Sequence, residues 1–294
     1  MTTHEVQDAS DLGELDGDRS VLGRAAMIIN AFDNGKPTLS LNDLTTITGL
    51  PRSTVHRFAE QLIAIGWFER ASAGYRVGTR LFEVGSRAER LNRIRVAANP
   101  WMFKLHEMSR MCVHLAILDG VEILYLDKIA ARGINLPSLI GHRMPAHCTA
   151  LGRVMLAHSS DIEIERVLYE GLEPRTPYTA ATPEMFRSKL DDVLESGVAV
   201  DFEETVPGML CVAAPIRGAG RALAAVSITG PRDGFDLKRL SAAVRMAANG
   251  IWTDLFGTIQ PDAERPLRDP VPVQMHAASA FDPWAMQIQL GEWF

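Results

Sequence analysis

SLNDLTTITGLPRSTVHRFAEQLIAIGWFERA, residues 40–71, decides the fold of the N-terminal part of this chain. Ser40 and Asp43 form an S-x-x-D capping box, a helix start in which each residue satisfies the other's backbone. Leu41, Leu44 and Ile47 follow at helical spacing as the inner stripe of that helix. Gly49 supplies a sharp turn, and Pro51 falls in the first turn of a second helix, where a missing N–H costs nothing. Val55, Phe58, Ala59, Leu62 and Ile63 give the second helix a buried face, and Gly66 ends it. Residues 67–70 and 75–77 then flank a short hairpin, or wing. Two short helices across a tight turn leave the start of the second helix at the surface. Arg52, Ser53, Thr54, His56 and Arg57 stand there, a set of donors suited to phosphates and base edges in a DNA groove. Tyr75 and Arg76 on the wing are expected to touch the neighbouring minor groove or backbone.

Upstream, Ser20 caps a helix over residues 21–32, with Leu22, Ala25, Ala26 and Ile29 on its inner side. Downstream, Leu81, Val84, Ala88 and Leu91 predict one connecting helix over residues 80–93. A second module follows. Residues 97–110 read as a helix with Pro100 in its first turn, and strands 113–118 and 121–126 bracket the hairpin signal Asp119-Gly120. Helices are expected from Thr149, from the capping box Ser160/Glu163, from Thr182-Pro183-Glu184 to Gly197, and over residues 235–256. Strands 209–216 and 222–229 pair with each other. The pattern is α+β, an antiparallel sheet with helices. The organisation is thus an acidic, disordered lead-in over residues 1–19, a winged helix-turn-helix over 20–79 and a linker helix over 80–95. An α+β domain over 96–258 and a C-terminal extension over 259–294 complete it. In the extension, Trp284 and Trp293 are expected to dock on the domain over 96–258 or on a neighbouring subunit.

Charge supports the division. The chain of 294 residues has a net charge of −6, yet residues 19–95 carry twelve Lys/Arg against six Asp/Glu. A basic block on an acidic body confines attraction for phosphate to one module. Three widely separated cysteines without zinc spacing fit a reduced, cytoplasmic protein. There is no signal-peptide pattern, and no apolar run nears the roughly 20 residues a bilayer span needs. His142, His147 and Cys148 reach a minimal ligand count on an irregular stretch, but nothing fixes their spacing, so packing is the expectation rather than a metal. No cofactor is expected.

Three blocks carry a resemblance: residues 20–85, with SVLGRAAMIINAF, the opening stretch and YRVGTRLFEVG; IGHRMPAHCTALGRVMLA, residues 140–157; and SGVAVDFEETVPGMLCVAAPIRGAGRALAAVSITGP, residues 196–231. In this order and spacing the chain resembles the IclR family of bacterial transcriptional regulators over roughly residues 20–257. The resemblance implies a winged helix-turn-helix joined by a helix to a GAF-like effector domain. It also implies homodimers, often homotetramers, on double-stranded operators of catabolic genes, with small organic acids (keto or aromatic) as effectors. By motif match, the effector-contacting positions fall on Thr149, Ala150, Leu151, Asp201, Cys211, Ser227 and Thr229. The chemistry agrees: a helix start offers backbone N–H groups to a carboxylate, and Ser227 and Thr229, two apart on a strand, share a face. Asp201 fits less easily, since a carboxylate repels an anion unless protonated or hydrogen-bonded.

Two other readings stay open. One is an enzyme with Cys211 as nucleophile and His114 or His147 as base, although no nucleophile elbow, phosphate loop or HExxH is present. The other is a sensor or adaptor that binds no DNA, which the basic, hydroxyl-rich helix start argues against. The expectation is a regulator and not an enzyme.

Overall fold

The structure, a computed structural model, describes residues 20–257. The expectations for residues 1–19 and for Trp284 and Trp293 lie outside the described residues. The chain opens with α1 (Val21–Asn30), a 3-10 turn (Ala31–Asn34), α2 (Leu41–Thr48), α3 (Arg52–Ala64), and the strands β1 (Phe68–Ala71) and β2 (Gly74–Val77). Ser20 caps α1 by accepting from Gly23 N at 2.8 Å. The capping box of α2 is complete: Asp43 N donates to Ser40 Oγ at 3.0 Å, and Ser40 N donates to Asp43 Oδ2 at 2.9 Å. Gly49 ends α2 at φ 67°, a left-handed turn that a Cβ disfavours. Ile28, Leu39, Leu44, Val55, Phe58, Leu62, Phe68 and Tyr75 close a core of their own under this head.

Some inner faces differ from those expected. Leu22 and Ala26 are exposed, and α1 buries Ile28 with Ala25 and Ile29 packed beside it, so the buried arc is turned relative to the predicted one. Ile47 is also exposed; α2 has barely two turns, and Leu50 beyond its end packs in its place. Pro51 caps α3 from outside rather than standing in its first turn.

The single connecting helix is replaced by two. α4 (Thr79–Gly85) stops, residues 86–88 break the run, and α5 (Glu89–Ser109) continues for 21 residues. Pro100 therefore sits inside α5, not in a first turn. It lies on the exposed side, where the carbonyl that it leaves without a helical partner meets water.

The rest is a six-stranded antiparallel sheet in the order β5-β4-β3-β8-β7-β6. Its strands are β3 (Cys112–Asp119), β4 (Glu122–Ile129), β5 (Arg143–Pro145), β6 (Ala199–Phe202), β7 (Met209–Ile216) and β8 (Ala224–Pro231). β5 and β6 escaped prediction because three or four residues are too few to show alternation. The helices are α6 (Ala150–Leu156), α7 (Asp161–Glu170), α8 (Pro183–Ser196) and α9 (Leu237–Phe256). Strand alternation divides the sheet into two apolar layers. Val113, Leu115, Val212, Ala214, Val226 and Ile228 face α5 and α9, while Ala116, Cys211, Ala213 and Ala225 face α6 and α8. Small residues on the second face let α6 lie close to it. No helix among the described residues is long and apolar enough to cross a membrane.

Candidate functional site

The second face of the sheet holds a cavity. Thr149, Ala150, Leu151, Asp201, Cys211, Ser227 and Thr229, all seven expected contact positions, line it together. Register explains the convergence. Ser227 of β8 lies between His114 of β3 and Ala213 of β7; Thr229 pairs with Cys211, which pairs in turn with Asp201 of β6. Thr149 caps α6 by accepting from Gly152 N at 3.0 Å, leaving the first-turn amides of Ala150 and Leu151 at the cavity edge.

Four polar or titratable residues that the sequence reading left out of the site also line the cavity: His114, Tyr125, Ser138 and Thr205. His114 Nε2 hydrogen-bonds Ser138 Oγ at 2.9 Å, its Nδ1 lies 3.5 Å from Thr229 Oγ1, and its ring packs on Tyr125. The signal was available: His114 shares strand parity with Ala116, on the cavity face. The Ser227 hydroxyl is fully buried with only the Cys211 thiol, a weak hydrogen-bonding group, beside it, which leaves it capacity for a polar group of a guest. Asp201 is spoken for. It accepts from Glu204 N and Thr205 Oγ1, each at 2.6 Å, and burial raises its pKa, which eases the repulsion of an anionic guest.

Burial first, and then the Lys128 charge, depress the His114 pKa to about 3. Burial also lowers His147 and His158. Folded, the His114 ring stays neutral, and the other two hold a proton less readily than a free imidazole. Unfolded, each takes up a proton below about pH 6.5, so stability falls as pH drops from neutrality toward the folded values. Asp201, shifted upward, acts in the opposite sense. The urea midpoint is expected to be lower at pH 5 than at pH 7, and His114→Gln to shrink the difference. An equal pH dependence in that variant would mean that the His114 ring takes up its proton without unfolding.

A buried ion pair fixes two walls of the cavity. Arg153 of α6 and Glu204, after β6, are each 1% exposed and meet at 2.7 Å. Arg153 also donates to Val200 O at 2.6 Å, and Lys189 of α8 reaches the other Glu204 oxygen at 3.0 Å. Thr179 Oγ1 donates to Glu204 O at 2.8 Å. No local pattern hints at this pair, whose members are 51 residues apart.

The Cys211 thiol is pushed up to about 12, chiefly by burial. Neither candidate base serves it: His114 is engaged by Ser138, and His147 Nε2 lies 3.0 Å from the carbonyl of Glu173. A buried thiol held protonated is a poor nucleophile. Cys148, next to His147, points its sulfur toward Pro145 O.

In the head, Arg52, Ser53, His56 and Arg57 are exposed at the start of α3, and Thr54 is half-buried beside them. Tyr75 is a correction. It is buried in the core of the head, its ring 6.5 Å from that of Phe68, because the parity of β2 turns it inward, and it cannot reach DNA. Arg76 is exposed, but Glu69 binds it at 2.6 Å, and that pairing holds the Glu69 carboxyl below its usual range.

Comparison with known proteins follows the same division. Residues 21–72 match the family model of the IclR helix-turn-helix domain, and residues 88–252 that of the bacterial transcriptional regulator IclR C-terminal domain. HTH-type transcriptional regulator XynR of Escherichia coli (strain K12) is 34% identical over 212 residues, covering 70% of this chain and 84% of that one. The glycerol operon regulatory protein of Streptomyces coelicolor is 32% identical, covering 80% and 95%. Among solved structures, an IclR homolog from Microbacterium hydrocarbonoxydans complexed with 4-hydroxybenzoate superposes with a TM-score of 0.75 at 28% identity, covering 81% of this chain and all of that one.

Proposed function

We infer the role of this protein from a premise that the family matches establish: the chain belongs to the IclR family of bacterial transcriptional regulators. It is a transcription regulator with a DNA-binding helix-turn-helix. Beyond that, residues 20–79 act as the DNA-binding domain, and residues 96–258 sense a small organic acid, keto or aromatic, that controls a catabolic operon. One observation carries the sensing role: the seven motif positions converge on one cavity where the buried Ser227 hydroxyl has no partner stronger than the Cys211 thiol. A carboxylate at the α6 amides and a hydroxyl or carbonyl at Ser227 would satisfy both ends of such an acid. The solved relative with 4-hydroxybenzoate supports the aromatic choice. The protein acts as a homodimer, or a pair of dimers, on an operator with two half-sites. Leu22 of α1 and Phe82 of α4, 82% and 77% exposed, are apolar surface that a second copy would cover. The protein works in the cytoplasm, on double-stranded DNA.

The test is a mobility shift with duplex DNA from upstream of the gene, titrated with 4-hydroxybenzoate and pyruvate. The shift is expected at low salt and is expected to change with an acid of the right class. A shift indifferent to a broad panel of keto and aromatic acids removes the sensing role. No shift at low salt removes the DNA role and leaves the adaptor reading.

A further inference from the structure

Residues 134–142, between β4 and β5, touch both the cavity and the head. On the cavity side, Leu136, Pro137 and Ser138 line the wall, and Ser138 Oγ is tied to His114. On the other side, the next residue, Leu139, meets the head. A methyl group built on Gly35, just after the 3-10 turn that follows α1, would fall 2.7 Å from Leu139 Cδ1 and 3.7 Å from His142 Cε1. Gly35 has φ 77°, so the absence of a side chain serves the turn and the approach of Leu139 together.

The segment is stiff enough to transmit a push. Lys128 Nζ donates to Ser138 O at 2.6 Å, Gly141 N donates to Tyr125 O at 2.9 Å, and Tyr125 N donates to His142 O at 3.0 Å. The other walls are held more firmly, by the sheet and by the Arg153–Glu204 pair. The cavity measures only about 40 Å³, well below the roughly 300 Å³ at which small-molecule sites begin. A guest with a ring must displace a wall, and residues 134–142 form a wall that lies outside both the sheet and the Arg153–Glu204 pair.

We propose that residues 134–142 are a mechanical link by which occupancy of the cavity reaches the DNA-binding head directly, through Ser138 on one side and the Leu139–Gly35 contact on the other. Its biological purpose rests on the regulator reading; the link itself does not. Ser138 and Leu139 act here as positioning residues. A guest that takes over the His114 or Ser138 hydrogen bond shifts Ser138, and Leu139, its covalent neighbour, shifts against Gly35.

Hydrogen exchange of the full-length chain, read by mass spectrometry, tests this without DNA or effector. Ser138→Ala cuts the tie to His114, and Leu139→Ala removes the side chain that meets Gly35. In both, amides of residues 28–35 are expected to exchange about threefold or more faster, while the wing, residues 68–77, keeps its wild-type rate. Gly35→Ala reads the link from the other end and is expected to speed exchange at Gly141 and His142. If Ser138→Ala leaves residues 28–35 at the wild-type rate, cavity and head are not joined through this segment and the proposal falls. Wild-type exchange at Gly141 and His142 in Gly35→Ala has the same consequence. A failed operator shift would remove the regulator reading and leave these results standing.

Discussion

Arg153→Ala is expected to cost about 3–5 kcal/mol of stability, the penalty for stranding a buried charge. Glu204, 1% exposed, would keep only the half-buried Lys189 as a cation, and Val200 O would lose its donor. For a domain whose net stability is about 5–15 kcal/mol, that is a large fraction. Replacing both partners with apolar residues of similar volume, Arg153→Met with Glu204→Leu, should do far less harm than the two single changes summed, because no charge is left behind. Urea unfolding of the three variants measures this directly. A loss below about 1 kcal/mol for Arg153→Ala would mean that water or Lys189 satisfies Glu204 unaided. The pair bears on function as well. It joins α6, whose start carries Thr149, Ala150 and Leu151, to β6 and the turn after it, which carry Asp201 and Thr205. The apolar double variant should therefore fold but bind its effector less well, which separates the pair's role in shaping the cavity from its role in stability.

What could be read in the chain beforehand divides by range. The Ser40/Asp43 box, the wing hairpin and the Asp119-Gly120 turn are local signals, and the structure has each of them. Ser227 with Thr229, and Cys211 on the neighbouring strand, could be placed on one face because alternation along a strand is also local. Tyr75 shows the limit of that rule. In a four-residue strand nothing in the sequence fixes parity, and a slip of one residue exchanges core for surface. Here the Leu39–Tyr75 bridge sets it, with Tyr75 N donating to Leu39 O at 2.8 Å, a contact across 36 residues. Pro100 misled for a related reason. It is a favourable first residue of a helix, but an exposed proline is also tolerated inside a long one whose other face is packed, and Ile94, Ala98, Met102 and Leu105 pack α5 on both sides of it. Arg153 was the least legible residue. It sits in an apolar helix where a surface cation would be assumed, and only the return of the chain at Glu204 makes it internal.

The double variant Arg52→Ala, Arg57→Ala is expected to weaken operator binding by about a hundredfold or more and to lower the log–log salt slope by about two. Both side chains stand at the exposed start of α3, and neither has a carboxylate partner among the described residues. Other cations of the head and of α4 are neutralised at home: Arg70 by Glu60 at 2.5 Å, Arg76 by Glu69 at 2.6 Å, and Arg80 by Glu83 at 2.5 Å. An arginine already bound to a carboxylate must give that partner up before it meets a phosphate, so its net contribution to binding is small. Arg76→Ala should therefore change operator affinity by less than about threefold, although Arg76, like Arg57, is an exposed arginine. Fluorescence anisotropy with operator duplex, across a range of salt concentrations, separates these outcomes. Since all three residues lie at the surface, the variants should keep melting points close to wild type, and a loss of affinity can then be assigned to contact rather than to fold. If Arg76→Ala costs as much as Arg57→Ala, the wing leaves Glu69 to grip the backbone, and DNA is held by hairpin and helix together. If neither change moves the salt slope, the cationic start of α3 does not face phosphate, and a different surface of the head reads the operator.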